Sequence, residues 1–358
     1  MAGDVICEKI GSCGLITLNR PQALNALTLN MVRAISTALG DFESDTGVAC
    51  VAIRGAGGKA FCAGGDIKTL YDLGKAGDYA GQLDFWREEY RLNLRIKFYP
   101  KPYLALTTGI VMGGGAGLSL HGSHVVAGEN FTFAMPETGI GFFPDVGATF
   151  FLPRLPARAG MYLAVTGARM SCGDAIAFNI AGVHIPSARH GALIERLARG
   201  EPIEEAIAAE HSPPPASALE RHWNLIARCF AGPRLSDILR SLDEEAGAGS
   251  QFAGLAASAI SSKCPASLAI VLRQMRIGAA MDLAEALQTE FRIAARLARR
   301  NDYYEGVRAV IIDKGHRPRW DPAAIEEVDA LDTSSYFAPL PEGELGFGAS
   351  AEAAVRKT

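Results

Sequence analysis

Two carboxylates, Glu137 and Asp145, stand eight residues apart in an apolar segment punctuated by glycine and proline, Phe131–Pro153. Acids among phenylalanines are costly to bury, so their pKa values are expected to be perturbed. Carboxylates with perturbed pKa values often act as catalytic acids or bases. The alternative is a buried turn in which both acids only cap backbone N–H groups.

Two glycine-rich loops offer backbone N–H groups that no side chain screens. One is Gly113–Gly115, which follows the apolar run Tyr103–Met112; the other is the sequence G-A-G-G-K-A-F-C-A-G-G-D-I, which ends at Ile67. Two N–H donors that converge on one carbonyl oxygen form an oxyanion hole. Because no serine or cysteine stands out as a nucleophile, the pattern favours chemistry at an acyl carbonyl by a carboxylate or an activated water.

The same glycines do not fit a nucleotide-binding loop. The third glycine of a G-x-G-x-x-G pattern falls on Leu118 or Leu120, and Lys59 is followed by alanine where a Walker-type loop needs serine or threonine. His121 and His124 lie three residues apart without a nearby carboxylate, which is a weak metal signal. We therefore expect neither a nucleotide cofactor nor a metal ion.

The elements that must position these residues alternate between strands and helices. A hairpin of Val5–Ile10 with Gly14–Asn19 is followed by a helix that Thr28 can cap. The strand Val48–Arg54 then enters the first glycine loop, and a polar helical stretch, Asp84–Lys97, follows it.

A second unit of strand, glycine loop and helix follows. It consists of the strand Tyr103–Thr108, the glycine triplet and a helix from Ala116. Val125–Ala127 and Phe131–Phe133 are predicted to make a further short strand pair. Repeated strand-plus-helix units indicate an α/β layered fold.

The sequence H-S-P-P-P, His211–Pro215, predicts a linker. Further helices are predicted on both sides of it, at Ala159–Thr166, Cys172–Phe178, Ala192–Arg199, Arg234–Glu245, Phe252–Ser262, Pro265–Ile277 and Leu283–Arg300. These signals divide the chain into an α/β core, 1–210, a mostly helical region, 211–340, and a tail, 341–358, that we expect to be mobile.

The amino-acid composition favours a globular protein with a substantial core over a nucleic-acid-binding protein. Of 358 residues, 49% are hydrophobic and 21% charged, with a net charge of -4, which predicts a substantial core and argues against nucleic-acid binding. Seven scattered cysteines without C-x-x-C spacing suit a reducing compartment.

The first ten residues show neither a secretory signal nor a transit peptide, so we predict a cytoplasmic location. Tyr103–Leu120 carries no charge, but its five glycines argue against a membrane span.

The loop motifs resemble those of the crotonase, or enoyl-CoA hydratase/isomerase, superfamily. F-C-A-G-G-D-I (Phe61–Ile67) and M-G-G-G-A-G (Met112–Gly117) are similar to its two oxyanion-hole segments, and R-P-Q-A-L-N-A-L precedes both. The resemblance implies an α/β fold, a crotonase-like spiral of repeated ββα units with a helical C-terminal region.

A narrower resemblance is to the 3-hydroxyisobutyryl-CoA hydrolase branch. It rests on W-R-E-E-Y (Trp86–Tyr90), on the segment Phe131–Gly147 and on Y-Y-E-G-V-R-A-V-I-I-D-K (Tyr303–Lys314), and it extends to about Phe337. It implies hydrolysis of a short 3-hydroxyacyl-CoA, most specifically 3-hydroxyisobutyryl-CoA in valine catabolism. Coenzyme A is then part of the substrate, and no separate cofactor is implied. A homo-oligomer stays open, whereas nucleic-acid and membrane partners are not expected.

The resemblance also assigns residues. It implies the backbone N–H groups of Ala63 and Gly114 as the oxyanion hole, Glu137 as the principal catalytic carboxylate, Asp145 as the second acid and Glu89 as a substrate-pocket residue. Further substrate contacts are implied for Ala23, Leu24, Gly64, Gly65, Asp66 and Ile67.

One position departs from the superfamily's hydratases. They carry a second catalytic glutamate three residues after the middle glycine of the triplet, and that position here is Gly117. The departure argues against water addition to a double bond, but it leaves isomerisation by a single base open. A non-catalytic acyl-CoA binder is a further alternative, against which Glu137 and both loops count.

Overall fold

The computed structural model of the chain describes residues 3–341 and 343–348. The strands in these residues are β1 Val5–Ile10, β2 Cys13–Leu18, β3 Cys50–Gly55, β4 Ala60–Cys62, β5 Tyr103–Thr107, β6 Ile110–Met112, β7 His124–Ala127, β8 Thr132–Ala134, β9 Met170–Ser171 and β10 Val183–His184. The α-helices are α1 Leu29–Ser44, α2 Ile67–Lys75, α3 Tyr79–Lys97, α4 Gly114–Ser119, α5 Ala148–Phe151, α6 Ala159–Thr166, α7 Cys172–Ala177, α8 His190–Ala198, α9 Ile203–Glu210, α10 Trp223–Cys229, α11 Leu235–Gly247, α12 Gln251–Ser261, α13 Pro265–Gly278, α14 Leu283–Leu297, α15 Asn301–Val307 and α16 Ser334–Phe337.

The strands form two sheets. A six-stranded sheet has the order β1-β2-β3-β5-β7-β10, and a four-stranded sheet has the order β4-β6-β8-β9. All neighbours are parallel except β1 with β2 and β8 with β9. The pairs β3/β4, β5/β6 and β7/β8 each place one strand in each sheet before a helical segment follows, which is the repeat of the predicted ββα spiral.

The chain passes from one sheet to the other at tight turns, and this corrects two details of the sequence prediction. Gly109 has a φ of +67°, and a Cβ there would lie 2.2 Å from the Lys59 carbonyl oxygen, so only glycine fits. The strand predicted at Tyr103–Thr108 therefore ends at Thr107. Val125–Ala127 and Phe131–Phe133 do not pair, because β7 and β8 lie in different sheets.

The helices with strong apolar periodicity are found close to their predicted bounds. The side chain of Thr28 caps α1 by accepting a hydrogen bond from the Met31 N–H at 3.2 Å, as expected. The helix predicted from Ala116 begins two residues earlier, at Gly114. This shift matters because it places the glycine triplet at the first turn of α4.

The helical C-terminal region packs against the α/β core. One large hydrophobic cluster contains Ile16 of β2 together with Leu268 of α13 and Phe291 of α14. The predicted linker, His211–Pro215, has neither helix nor strand. Of the predicted tail, residues 341 and 343–348 are described, and Leu345 among them is buried; Glu342 and residues 349–358 lie outside the described residues.

No single helix in the described ranges is both long enough and apolar enough to cross a membrane. Helices α12 and α13 pass such a test only together, as a pair bent by 114°. The charge-free segment Tyr103–Leu120 is divided among β5, β6 and α4. Both strands lie between two neighbours in their sheets.

Candidate active site

A cavity of about 470 Å³ opens where the two glycine loops meet α3 and the C-terminal region. This volume is typical of a small-molecule site. The cavity lining includes eight of the residues predicted from the sequence, namely Ala63, Gly64, Gly65, Ile67, Glu89, Gly114, Glu137 and Asp145.

The two glycine loops touch at the cavity. Gly64 has a φ of +111°, and a Cβ there would lie 3.8 Å from the Gly114 nitrogen. Gly114 is the first residue of α4, so its N–H has no partner within the helix. The loops thus bring unscreened backbone close together, as an oxyanion hole requires.

The assignment of Ala63 as an oxyanion donor needs correction. Its N–H already donates to the Leu24 carbonyl oxygen at 3.1 Å, and the N–H of Gly64 contacts the Cys62 sulfur at 3.4 Å. The next N–H, that of Gly65, has no hydrogen-bond acceptor in the part of the chain that the structure describes. Gly65 and Gly114 are therefore the donors that the geometry leaves available.

Glu137 lies directly beside the triplet. It begins the 3₁₀ helix Glu137–Ile140, and a Cβ at Gly113 would lie 3.3 Å from its Oε1 atom. Only 8% of the residue is exposed, and its Oε2 atom has no hydrogen-bond partner within residues 3–341 and 343–348. Burial, and then the charge of Asp145, raise the pKa of Glu137 well above its usual value.

Glu89 of α3 approaches the same glycines from another side. A Cβ at Gly114 would lie 2.4 Å from its Oε1 atom, for which the described residues offer no partner. Burial raises the pKa of Glu89 well above its usual value, and the charges of Asp145 and Glu290 raise it further. A protonated Glu89 can donate a hydrogen bond to a polar group of a ligand.

Asp145 completes the group of acids that line the cavity. The hydroxyl of Tyr90, a fully buried residue of α3, donates to its Oδ2 atom at 2.8 Å. Burial raises the pKa of Asp145 to about 7, although the Tyr90 hydrogen bond opposes the shift. The Tyr90 hydroxyl belongs to another element, so this carboxylate makes a contact that turn capping alone does not require.

The Asp145 loop, Pro144–Thr149, has a constrained backbone. Val146 has a φ of +55°, which is unfavourable for a β-branched residue, and Gly147 has a φ of +90°. The Nε2 atom of His121 lies 2.7 Å from the Val146 carbonyl oxygen. Such a conformation persists only where its surroundings enforce it.

Two buried side chains of the C-terminal helices hold the same loop. Gln274 of α13 donates from Nε2 to the Pro144 carbonyl oxygen at 2.6 Å and to the Thr149 hydroxyl at 2.7 Å. Glu290 of α14 accepts from the Gly147 N–H at 2.7 Å and from the Thr149 N–H at 2.8 Å. Asp145 is therefore positioned by residues more than a hundred positions away in the sequence.

Comparison with known proteins identifies the family to which the chain belongs. A family model described as enoyl-CoA hydratase/isomerase matches residues 13–337. The chain belongs to the enoyl-CoA hydratase/isomerase family. The match supports an acyl-CoA enzyme of this family, and the predicted crotonase-like fold is confirmed.

Similar curated members of the family carry one name. The 3-hydroxyisobutyryl-CoA hydrolase, mitochondrial, of Xenopus tropicalis is 44% identical over 353 residues, which cover 96% of this chain and 91% of that protein. The protein of the same name from Homo sapiens is 42% identical over 357 residues, with coverages of 97% and 91%.

Two similar solved structures carry other titles. A carnitinyl-CoA dehydratase from Mycobacterium thermoresistibile matches with a TM-score of 0.91 and 38% identity, covering 97% of this chain and 99% of that one. An enoyl-CoA hydratase from Rhodobacter sphaeroides 2.4.1 matches with a TM-score of 0.88 and 41% identity, with coverages of 96% and 100%. These proteins share the fold, whereas the reactions for which they are named differ.

Three predicted contact residues do not line the cavity. Ala23 ends a 3₁₀ helix and Leu24 follows it in a left-handed conformation. Asp66 caps α2 by accepting from the Thr69 N–H, and it forms an ion pair with Arg20 at 2.8 Å. Their contact with substrate stays a prediction.

Other cavity residues carried no predicted role. Trp86 and Phe142 stack with ring centroids 5.4 Å apart and form an apolar wall. Lys263, Val310 and Pro318 come from the C-terminal region. Trp86, Phe142 and Val310 lie within the segments quoted above, which gave them no role, whereas Lys263 and Pro318 lie in no quoted motif. Packing of the C-terminal region onto the core brings Lys263, Val310 and Pro318 to the cavity.

Proposed function

We propose that the chain hydrolyses a short 3-hydroxyacyl-CoA thioester, with 3-hydroxyisobutyryl-CoA as the preferred substrate. The name that the curated relatives share supports this substrate class. Coenzyme A is part of the substrate, and the chemistry needs no other cofactor. The reaction would serve the step of valine breakdown predicted above.

One observation carries the choice of hydrolysis over hydration. A Cβ at Gly117 would lie 2.6 Å from Asn93 Nδ2 and 2.9 Å from Val146 Cβ, so the position has no room for the second glutamate of the hydratases. The second acid of this cavity is instead Asp145, which comes from a different segment. Hydration needs an acid and a base at the double bond, whereas a thioester can be hydrolysed with one strong base.

The proposed reaction begins with the thioester oxygen between the N–H groups of Gly65 and Gly114. Negative charge grows on that oxygen in the tetrahedral transition state, so fixed donors stabilise it more than they stabilise the substrate. In one route the Glu137 carboxylate attacks the carbonyl carbon, the C–S bond breaks as the thiolate leaves, and water then hydrolyses the resulting anhydride and restores the carboxylate. In the other route the carboxylate removes a proton from water as that water attacks the carbonyl carbon, and the tetrahedral intermediate then loses the thiolate, which takes up the proton. The raised pKa of Glu137 increases its basicity once the proton has left.

Asp145 orients the attacking water or assists the departing thiolate. Its pKa of about 7 lets it exchange a proton near neutral pH. Because a thiolate leaves readily, this assistance is smaller than the contribution of Glu137. Glu89 donates to the 3-hydroxyl group of the acyl chain.

The test is release of thiol from a panel of acyl-CoA esters, with enoyl absorbance followed on parallel samples. The proposal expects thiol release from 3-hydroxyisobutyryl-CoA and no change in enoyl absorbance. A change in enoyl absorbance without thiol release would instead support another reaction: a loss would indicate a hydratase, and a gain would indicate a dehydratase or an isomerase. The two solved structures are named as a dehydratase and a hydratase. Binding without either reaction would support an acyl-CoA binder.

The cytoplasmic location and the homo-oligomer stay predictions. The curated relatives are named as mitochondrial, which makes the location a useful second measurement. Cell fractionation and the mass of the purified protein in solution would test the two predictions separately.

A further inference from the structure

The cavity lining contains a lysine that the proposed reaction does not use. Lys263 lies between α12 and α13 and is half-buried. In the described part of the chain, no side chain forms an ion pair or a hydrogen bond with its amine. Burial lowers the pKa of Lys263, and the Nζ atom would lie only 3.3 Å from a Cβ at Gly167.

Lys263 packs against the turn that carries the principal acid. The N–H of its neighbour Cys264 donates to the Thr138 carbonyl oxygen at 3.0 Å, within the 3₁₀ helix that Glu137 begins. The Nζ atom would lie 3.8 Å from a Cβ at Gly139 of the same helix. The amine and the carboxylate that acts on the thioester therefore line one cavity from the same turn.

The surroundings of this amine favour a nucleophile. An amine attacks a carbonyl carbon only in its neutral form, and a lysine that is partly removed from water and lacks a counter-ion loses its proton more readily. Desolvation of this kind is one of the ways in which proteins activate a lysine toward carbonyl groups. The four-carbon stem of lysine is flexible, so the amine can move within the cavity that it lines.

We propose that Lys263 is a modification site, at which an acyl-CoA thioester held in this cavity transfers its acyl group to the lysine amine. The inference rests on the proposed function for the presence of the thioester in the cavity. The neutral nitrogen attacks the carbonyl carbon, a C–N bond forms, and the C–S bond breaks. Coenzyme A leaves as the thiolate and takes up the proton that the nitrogen loses. The products are an amide and free coenzyme A, so no further reactant is needed.

Acylation of Lys263 changes the cavity in two ways. It removes the charge of the lysine, and it adds an acyl chain to a space of about 470 Å³. The added group lies beside the turn that carries Glu137, so turnover falls as the modified fraction grows. Hydrolysis and self-acylation thus compete for the same thioester, and the second reaction limits the first.

Peptide mass spectrometry of the full chain tests the site directly. The wild type is incubated with 3-hydroxyisobutyryl-CoA, which is replenished as it is consumed, and the acylated fraction of each lysine is followed over time. Lys59 is exposed and lies outside the cavity lining, so it is the internal control. We expect acylation of Lys263 to be at least tenfold faster than that of Lys59, because a shared cavity raises the effective concentration of the thioester at the amine.

Excess free coenzyme A adds a second arm to this experiment. It competes for the cavity, so it should slow acylation of Lys263 and leave the rate at Lys59 unchanged. Equal rates at the two lysines, or no protection of Lys263 by coenzyme A, would overturn the proposal. Both arms use the wild-type protein, so neither depends on the folding of a variant.

The effect on activity is tested with Lys263→Arg, which keeps the positive charge but carries a guanidinium that does not lose its proton. After long exposure to the thioester and removal of small molecules, the wild type should have lost at least half of its turnover and Lys263→Arg none. Lys59→Arg is the matched control and should decline as the wild type does. An equal decline in all three proteins would overturn the inhibitory effect of acylation at Lys263.

This inference and the proposed function fail on different results. If thiol release from 3-hydroxyisobutyryl-CoA does not exceed the amount of lysine acylated, the proposed hydrolysis fails, whereas selective acylation of Lys263 with protection by coenzyme A would still support the modification site. Catalytic thiol release without selective acylation of Lys263 would overturn the modification site alone.

Discussion

The α/β core and the C-terminal helices contribute different things to the cavity. In the proposed reaction the core would supply the chemistry: the N–H groups of Gly65 and Gly114 lie shortly after β4 and β6, and the carboxylates of Glu137 and Asp145 lie between β8 and α5. The C-terminal helices supply support, since Gln274 and Glu290 reach across to the Asp145 loop without lining the cavity.

The two regions therefore differ in how they fix the positions of the site residues. The backbone donors and Glu137 are fixed by local turns, so their positions depend on few contacts. The position of Asp145 depends on a buried network that joins distant segments, and such networks are sensitive to each member. Substitutions in the core should therefore abolish chemistry at nearly constant stability, whereas substitutions in the network should change both.

Glu137→Gln should cause the largest loss of turnover. We expect turnover to fall about 10²–10⁴-fold, the usual contribution of acid–base catalysis, while the fold and substrate binding persist. The neutral amide also suits a buried site in which the charged carboxylate is disfavoured. Steady-state thiol release and thermal melting measure both quantities, with the exposed Glu244→Gln as control. More than about a tenth of wild-type turnover would remove Glu137 from the central role.

Gly114→Pro should cause the second-largest loss of turnover, because proline has no N–H to donate to the oxyanion. Gly114 is the first residue of α4, where proline is well tolerated, but any Cβ there would lie 2.4 Å from Glu89 Oε1 and 2.9 Å from Leu27 Cδ1. Gly114→Ala carries the same Cβ and keeps the N–H, so it is the matched control.

We expect the proline variant to turn over roughly 10²–10³-fold more slowly than the alanine variant, as for loss of one oxyanion donor. Thiol release per folded molecule, with the folded fraction taken from circular dichroism, measures the difference. Equal rates in the two variants would show that the Gly114 N–H is not a donor.

Asp145→Asn is expected to lower turnover at least tenfold, with a smaller change in KM, because it removes the second acid and keeps its shape. Thiol release and thermal melting on one preparation measure the effect. Reduced stability with full turnover would show that Asp145 only supports the turn, and it would reopen isomerisation by a single base.

The pH dependence of stability sharpens this test. Burial raises the pKa of Asp145 from 3.8 to about 7, so the folded chain binds the proton more tightly than the unfolded chain does. The stability that Asp145 contributes is complete below its unfolded pKa and is lost as the pH rises through about 7. The melting temperature of Asp145→Asn relative to wild type should therefore rise between pH 5 and pH 8. A constant difference would contradict the raised pKa.

Sequence patterns predicted what local interactions determine. Thr28 caps α1 because its side chain needs only the next turn, and Glu137 and Asp145 stand out because acids are rare among phenylalanines. The identity of the first oxyanion donor was predicted wrongly, because the N–H of Ala63 is taken by the carbonyl of Leu24, a contact between separate segments.

Several of the residues that escaped prediction lie in or beside the C-terminal helices. Glu290 occurs in an ordinary amphipathic pattern, in which an acid is normally exposed, yet it is fully buried. Its partner Gly147 is 143 positions away, and no spacing rule links the two. Lys263 likewise follows α12 in a segment without any motif.

Glu290→Gln should have the smallest effect on turnover and the clearest effect on stability. The carboxylate accepts two N–H groups, and an amide can accept only one of them while its NH₂ group faces the other. Leaving one buried N–H unpaired costs about 1–3 kcal/mol of the free energy of unfolding. We expect kcat to fall several-fold, since the Asp145 loop loses one of its supports.

A double-mutant cycle decides whether Glu290 acts through Asp145. If it only positions that acid, Glu290→Gln should lower kcat in the wild-type background and have no further effect on kcat in the Asp145→Asn background. Its effect on the melting temperature should be present in both, because the contacts to Gly147 and Thr149 do not involve the Asp145 side chain. An equal loss of kcat in both backgrounds would mean that Glu290 supports another part of the site, and the division between a reactive core and a supporting C-terminal region would have to be redrawn.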